Sequence, residues 1–69
     1  MTVEQMRATD KPFLTPMDVC EVLQCAPYSI NVQIKTEGAD SLPFPAFKIG
    51  SRVKIPRAAF VRWAEQMGL

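Results

Sequence analysis

Sixty-nine residues carry 8 Lys plus Arg against 7 Asp plus Glu, with 48% hydrophobic residues, two Cys and no His. Such a chain is one small domain burying only about 60% of the surface its unfolded form exposes, and without His it has no Ser-His or Cys-His nucleophile. Two Cys alone cannot complete a four-ligand zinc site, and no apolar run approaches the ~20 residues that span a bilayer. No catalytic residue, metal or cofactor is therefore expected, and the scattered carboxylates lack the paired arrangement of acid-base chemistry. The first seven residues lack the apolar stretch of a secretory signal, so a cytoplasmic location with no membrane partner is the expectation. Cys20 and Cys25 lack the spacing of a redox or zinc pair and read as small core fillers kept reduced.

Taken in chain order, residues 1–12 are polar, aperiodic and end in Lys-Pro, and they read as a flexible arm. Order is expected from 13 to 69. Thr15 suits an N-cap, Pro16 the first helical position, and Asp18 the third position of a capping-box-like start. Val19, Cys20, Val22 and Leu23 form one apolar side, which predicts a helix over 16–24. Pro27 opens a second helix over 27–36, with Ile30 and Ile34 four apart on its inner face and Gly38 as its stop. Two short helices joined by a brief turn make a helix-turn-helix, whose second helix is the one that enters a major groove.

Residues 39–45 are too rich in turn formers for regular structure. The period then changes: Phe47, Ile49, Val53 and Ile55 alternate with Lys48, Arg52 and Lys54 around a Gly-Ser turn. The pattern predicts a β-hairpin with one apolar and one basic face. Pro56 ends the second strand. A last helix follows, with Ala59, Phe60, Trp63 and Met67 at helical spacing toward the core and Arg57 and Arg62 outward.

The near-neutral total hides an asymmetry. Residues 1–44 hold three basic and six acidic side chains, giving −3, whereas residues 45–69 hold five basic and one acidic, giving +4. A basic half of this kind points to an electrostatic partner, nucleic acid first among them.

The run Phe-Leu-Thr-Pro-Met-Asp-Val-Cys-Glu-Val-Leu at 13–23 is similar to a Leu-Thr-x-x-Glu-x-Ala-x-x-Leu helix opening. Residues 44–63, Phe-Pro-Ala-Phe-Lys-Ile-Gly-Ser-Arg-Val-Lys-Ile-Pro-Arg-Ala-Ala-Phe-Val-Arg-Trp, resemble a Pro-x-x-x-Ile-Gly-x-Arg wing followed by a helix ending in Trp. Together they resemble the excisionase family of phages and integrative elements, with its MerR-like winged-helix relatives. The resemblance covers about residues 13–66.

It implies an α+β fold, a small winged helix-turn-helix, and a factor that binds double-stranded DNA near an attachment site. Such a factor bends the DNA and directs a tyrosine-type integrase towards excision. With only about four or five cations available, this chain is expected to bind weakly alone and to need cooperation between copies on repeated sites or help from the integrase. The residues the resemblance implies are Tyr28, Ser29, Asn31, Val32 and Lys35 on the recognition helix, and Lys48, Ser51, Arg52 and Lys54 on the wing. Arg57 and Arg62 are weaker backbone contacts. The second helix carries only Lys35, where the family usually has several cations.

Arg52, beside the turn, is the leading candidate for a minor groove or phosphate. Two other readings stay open: a transcriptional regulator of the same fold at a promoter operator, and a protein-interaction module docking through Asp18 and Glu21.

Overall fold

The computed structural model describes residues 1–69 and contains four helices and a three-stranded antiparallel sheet. The elements are α1 (Val3–Ala8), β1 (Phe13–Leu14), α2 (Pro16–Leu23), α3 (Pro27–Glu37), β2 (Phe47–Ile49), β3 (Arg52–Pro56) and α4 (Arg57–Gln66). A single 3-10 turn, Ala39–Ser41, interrupts the connection between α3 and β2. β3 is the central strand, pairing with β1 through Leu14–Ile55 and with β2 through Lys48–Val53.

Local chemistry explains the helix starts. The Thr15 hydroxyl accepts from the Asp18 N–H at 3.3 Å while the Asp18 carboxylate accepts from the Thr15 N–H at 3.0 Å. Two donors that a helix start leaves orphaned are thus satisfied reciprocally, and Pro16 contributes no third. α2 ends one residue earlier than its apolar pattern suggests, because Gln24 turns left-handed at φ 55°. Three residues later Pro27 starts α3, and Gly38 ends it with its N–H donating to the Ile34 carbonyl at 2.9 Å.

The core is drawn from every layer. Leu14, Val19, Ile30, Ile34, Phe44, Val53, Ile55 and Phe60 are all buried, with Val61 and Ala64 extending the cluster along α4. Trp63 is half-buried against this cluster. Cys20 and Cys25 are half-buried free thiols, and Cys25 packs against the core.

The reading of residues 1–12 as a flexible arm is corrected. Thr2 and Gln5 form a capping box for α1, with bonds of 2.9 and 3.1 Å, and Met6 from this helix is completely buried. A six-residue helix is too short to be stable in water alone, so its order comes from packing against α4. Arg57 is the fastener: its Nε donates to the Lys11 carbonyl at 2.6 Å and its Nη1 to the Met6 carbonyl at 3.2 Å. Arg57→Ala is expected to lower stability by about 2 kcal/mol, the scale of a charge-assisted hydrogen bond. Hydrogen exchange should then show the amides of 3–8 losing protection before those of α4.

The expected two-faced hairpin is also corrected. Gly50 and Ser51 are the whole turn, which sets Ile49 opposite Arg52, Lys48 opposite Val53 and Phe47 opposite Lys54. Residues directly opposite in an antiparallel pair share a face. Phe47 and Ile49 therefore lie on the outer face with Arg52 and Lys54, whereas Lys48 lies on the side of Val53 and Ile55. A two-residue turn puts an odd separation between opposing residues, so an alternation read straight through it changes face. Gly50 supplies φ 61° at the first turn position, where a side chain would be strained.

Candidate nucleic-acid interface

Two consecutive helices and the later β-hairpin meet at one open cleft. Thr15 and Met17 at the start of α2 form one wall, and Pro27 and Asn31 of α3 form the second. Ser51, Arg52 and Lys54 of the β2–β3 hairpin form the third. No carboxylate lines the cleft. Four of the residues singled out from the sequence, Asn31, Ser51, Arg52 and Lys54, are thereby brought together.

The walls are set by the local structure already described. The capping box fixes the start of α2, Pro27 fixes the start of α3, and the short turn carries Arg52 to the hairpin tip. Asn31 shares one stripe of α3 with Tyr28 and Lys35, at separations of three and four residues that align side chains on a helix. Tyr28 is 75% exposed, and Asn31 and Lys35 are exposed as well. Val32 is half-buried.

The other sequence candidates lie elsewhere. Ser29 is on the opposite flank of α3, in a crevice with Gln33, Leu42 and Phe44. The Gln33 amide there donates to Ser41, at 3.2 Å to its carbonyl and 3.3 Å to its hydroxyl. Lys48 is exposed on the edge strand and is not part of the cleft. Arg62 belongs to a separate depression between α1 and α4, with Arg7, Arg57 and Glu65. Arg57 has two of its donors bound to main-chain carbonyls.

Ion pairing sharpens the charge pattern. Arg7 pairs with Glu65 at 3.5 Å and Lys11 with Asp18 at 3.0 Å. Lys35, Lys48, Arg52, Lys54 and Arg62 form no ion pair within the fold. Within residues 1–44 Asp18 takes Lys11 and Glu21 takes the terminal ammonium of Met1, while Glu65 of α4 takes Arg7, so the cations around the hairpin and on α3 are left without an ion pair.

Met17 and Ile49 are apolar residues that the sequence pattern did not single out here. Met17 is 71% exposed and lines the cleft; Ile49 is 63% exposed opposite Arg52. The signal that would have found Ile49 is the length of the turn, which decides its face.

Asp18 gives the α2 wall a pH dependence. Burial pushes its carboxyl pKa up, but the Thr15 N–H, the Lys11 ammonium and the Thr15 hydroxyl outweigh burial and hold it below the ordinary value of 3.8. A group depressed in the folded state stabilises the fold above its unfolded pKa, and that contribution is lost as pH falls through the folded value. Acid titration monitored by circular dichroism should therefore show wild type losing stability below about pH 4, more steeply than Asp18→Asn. Near neutral pH the variant should be less stable by about 1 kcal/mol, the scale of a lost cap.

No family model, curated protein or solved structure matches this chain.

Proposed function

We propose that the chain is a small winged helix-turn-helix protein that binds double-stranded DNA. α3 takes the major groove and the β2–β3 hairpin serves as a wing on the adjacent minor groove or its phosphates. Its proposed role is that of an excisionase, bending DNA near an attachment site and directing a tyrosine-type integrase towards excision. The observation that carries DNA binding is the convergence of Asn31, Ser51, Arg52 and Lys54 on one carboxylate-free cleft. The excision role rests on the resemblance of 13–23 and 44–63 to that family.

The chemistry divides between the two grooves. The Asn31 side-chain amide can donate to and accept from one adenine edge, and Tyr28 beside it can pack on the sugar-phosphate backbone. Arg52 presents a guanidinium that forks onto a phosphate or enters a narrow, strongly negative minor groove. Lys54 and Lys35 add point charges on either side. With so few cations, affinity for an isolated site is modest, so binding is expected to gain from repeated sites, from further copies of the chain and from the integrase. A docking role for acidic α2 has less support, because Asp18 is already engaged by Lys11 and Thr15.

The test is a gel-shift titration at low salt on the attachment-site arm of the element that encodes the chain, with and without its integrase. The expected result is a shift that strengthens when integrase is added, and loss of excision when the gene is deleted. No shift under either condition overturns the proposal. A shift with altered transcription and intact excision on deletion would assign the same interface to a promoter operator.

A further inference from the structure

On the DNA-binding reading above, one residue at the hairpin tip stands apart from the cations around it. β2 is an edge strand of three residues, and its outer face shows Phe47 and Ile49. Edge strands ordinarily carry charge rather than bare apolar side chains, because an apolar edge invites pairing with another chain. Phe47 is covered: the ring of Phe13 meets it edge-on at 5.5 Å across β3. Ile49 has no such cover, is 63% exposed, and is absent from the residues packed on the core. It projects beside Gly50, around which nothing lies within 4 Å of where a side chain would begin.

We infer that Ile49 is an apolar wedge that enters the minor groove beside Arg52, packs on the deoxyribose walls and partly unstacks a base step. The occupant is DNA because Ile49 shares its face with two unpaired cations: Arg52 directly opposite, and Lys54 one pair further along. Those cations draw in a polyanion and oppose a second copy of the same basic strand. Apolar side chains inserted between base steps kink duplexes towards the major groove, so the wing would bend DNA as well as hold it. The division of labour is chemical. Arg52 and Lys54 supply the part of affinity that salt weakens, and Ile49 supplies a part that salt leaves alone.

Ile49→Ala and Ile49→Leu separate these roles, and the exposure of Ile49 leaves the fold of both variants intact. The probe is a duplex of about 30 base pairs with a central TpA step, much shorter than the persistence length of DNA, end-labelled for energy transfer. Affinity is read across a salt series and bending from the transfer efficiency. Ile49→Ala is expected to weaken binding roughly fivefold at every salt concentration, with the slope of log affinity against log salt unchanged and the bend largely lost. Ile49→Leu should keep both. Unchanged affinity and bend in Ile49→Ala, or wild-type binding to straight DNA, overturns the wedge while leaving DNA binding in place. Dimerisation of the free chain that Ile49→Ala abolishes also overturns it, since the occupant would then be a second copy. If wild type binds no duplex at all, the DNA-binding reading and the wedge fall together.

Discussion

Phe60→Ala is expected to leave the chain without a cooperative unfolding transition at room temperature. The Phe60 ring is completely buried, 5.0 Å from Phe44 in an edge-on arrangement and 5.6 Å from Trp63, which in turn lies 5.2 Å from Phe44. These three rings tie α4 to the irregular segment before β2, so truncation removes an apolar side chain and opens a cavity between two elements. Phe→Ala changes at such sites cost about 3–5 kcal/mol. A domain of this size has only about 3–10 kcal/mol in total, at 0.05–0.15 kcal/mol per residue. Trp63 is the single tryptophan of the chain, so its fluorescence reports on this cluster directly. Urea titration followed by that signal should give a sharp sigmoid for wild type and a nearly featureless curve for the variant. A loss of 1 kcal/mol or less would mean that the ring cluster does not hold α4.

The second large effect is on binding. Arg52→Glu combined with Lys54→Glu reverses two unpaired cations on one strand of the cleft, one exposed and one half-buried. Each phosphate contact contributes about 0.9 to the salt slope, so the double change removes about 2 from it and adds repulsion. Affinity for duplex DNA at low salt is expected to fall about a hundredfold or more. Neither side chain is part of the core or of an ion pair, so thermal stability should stay close to wild type.

The parts of the fold that were legible in the sequence are those whose causes are local. Thr15, Pro16 and Asp18 mark the start of α2 by their own side-chain chemistry, Pro27 and Gly38 bracket α3, and Gly50 marks the turn. The parts that were not legible depend on distant contacts or on parity. α1 carried a capping box in Thr2 and Gln5, but six residues give no periodicity to read, and its order depends on Met6 and on Arg57, fifty-one residues away. The outward assignment of Arg57 missed this fastening for the same reason. The hairpin faces were exchanged on β2 because an alternation of apolar and basic residues does not reveal how many residues the turn consumes. In the site, Asn31 and Ser29 looked equivalent as small polar residues on one helix. Two positions along α3 amount to more than half a turn, which sends Asn31 to the hairpin cleft and Ser29 to the crevice with Gln33.

The same register accounts for the character of the proposed interface. A hairpin with one more residue in its turn would have set Ile49 on the face of Val53 and Ile55 and left a basic outer face. With Gly50 and Ser51 alone in the turn, cations and an apolar group share the tip. Binding by such a surface is expected to combine a part that salt weakens with a part that salt does not touch.

The most direct test of DNA binding through this cleft is the salt dependence of duplex affinity for wild type and for the Arg52→Glu, Lys54→Glu variant, measured by fluorescence anisotropy. With Lys35, Arg52 and Lys54 available, wild type is expected to show a slope of about −2 to −3, and the variant one shallower by about 2 with much weaker binding at low salt. Equal slopes and equal affinities for the two proteins would contradict DNA binding at the cleft formed by α2, α3 and the hairpin.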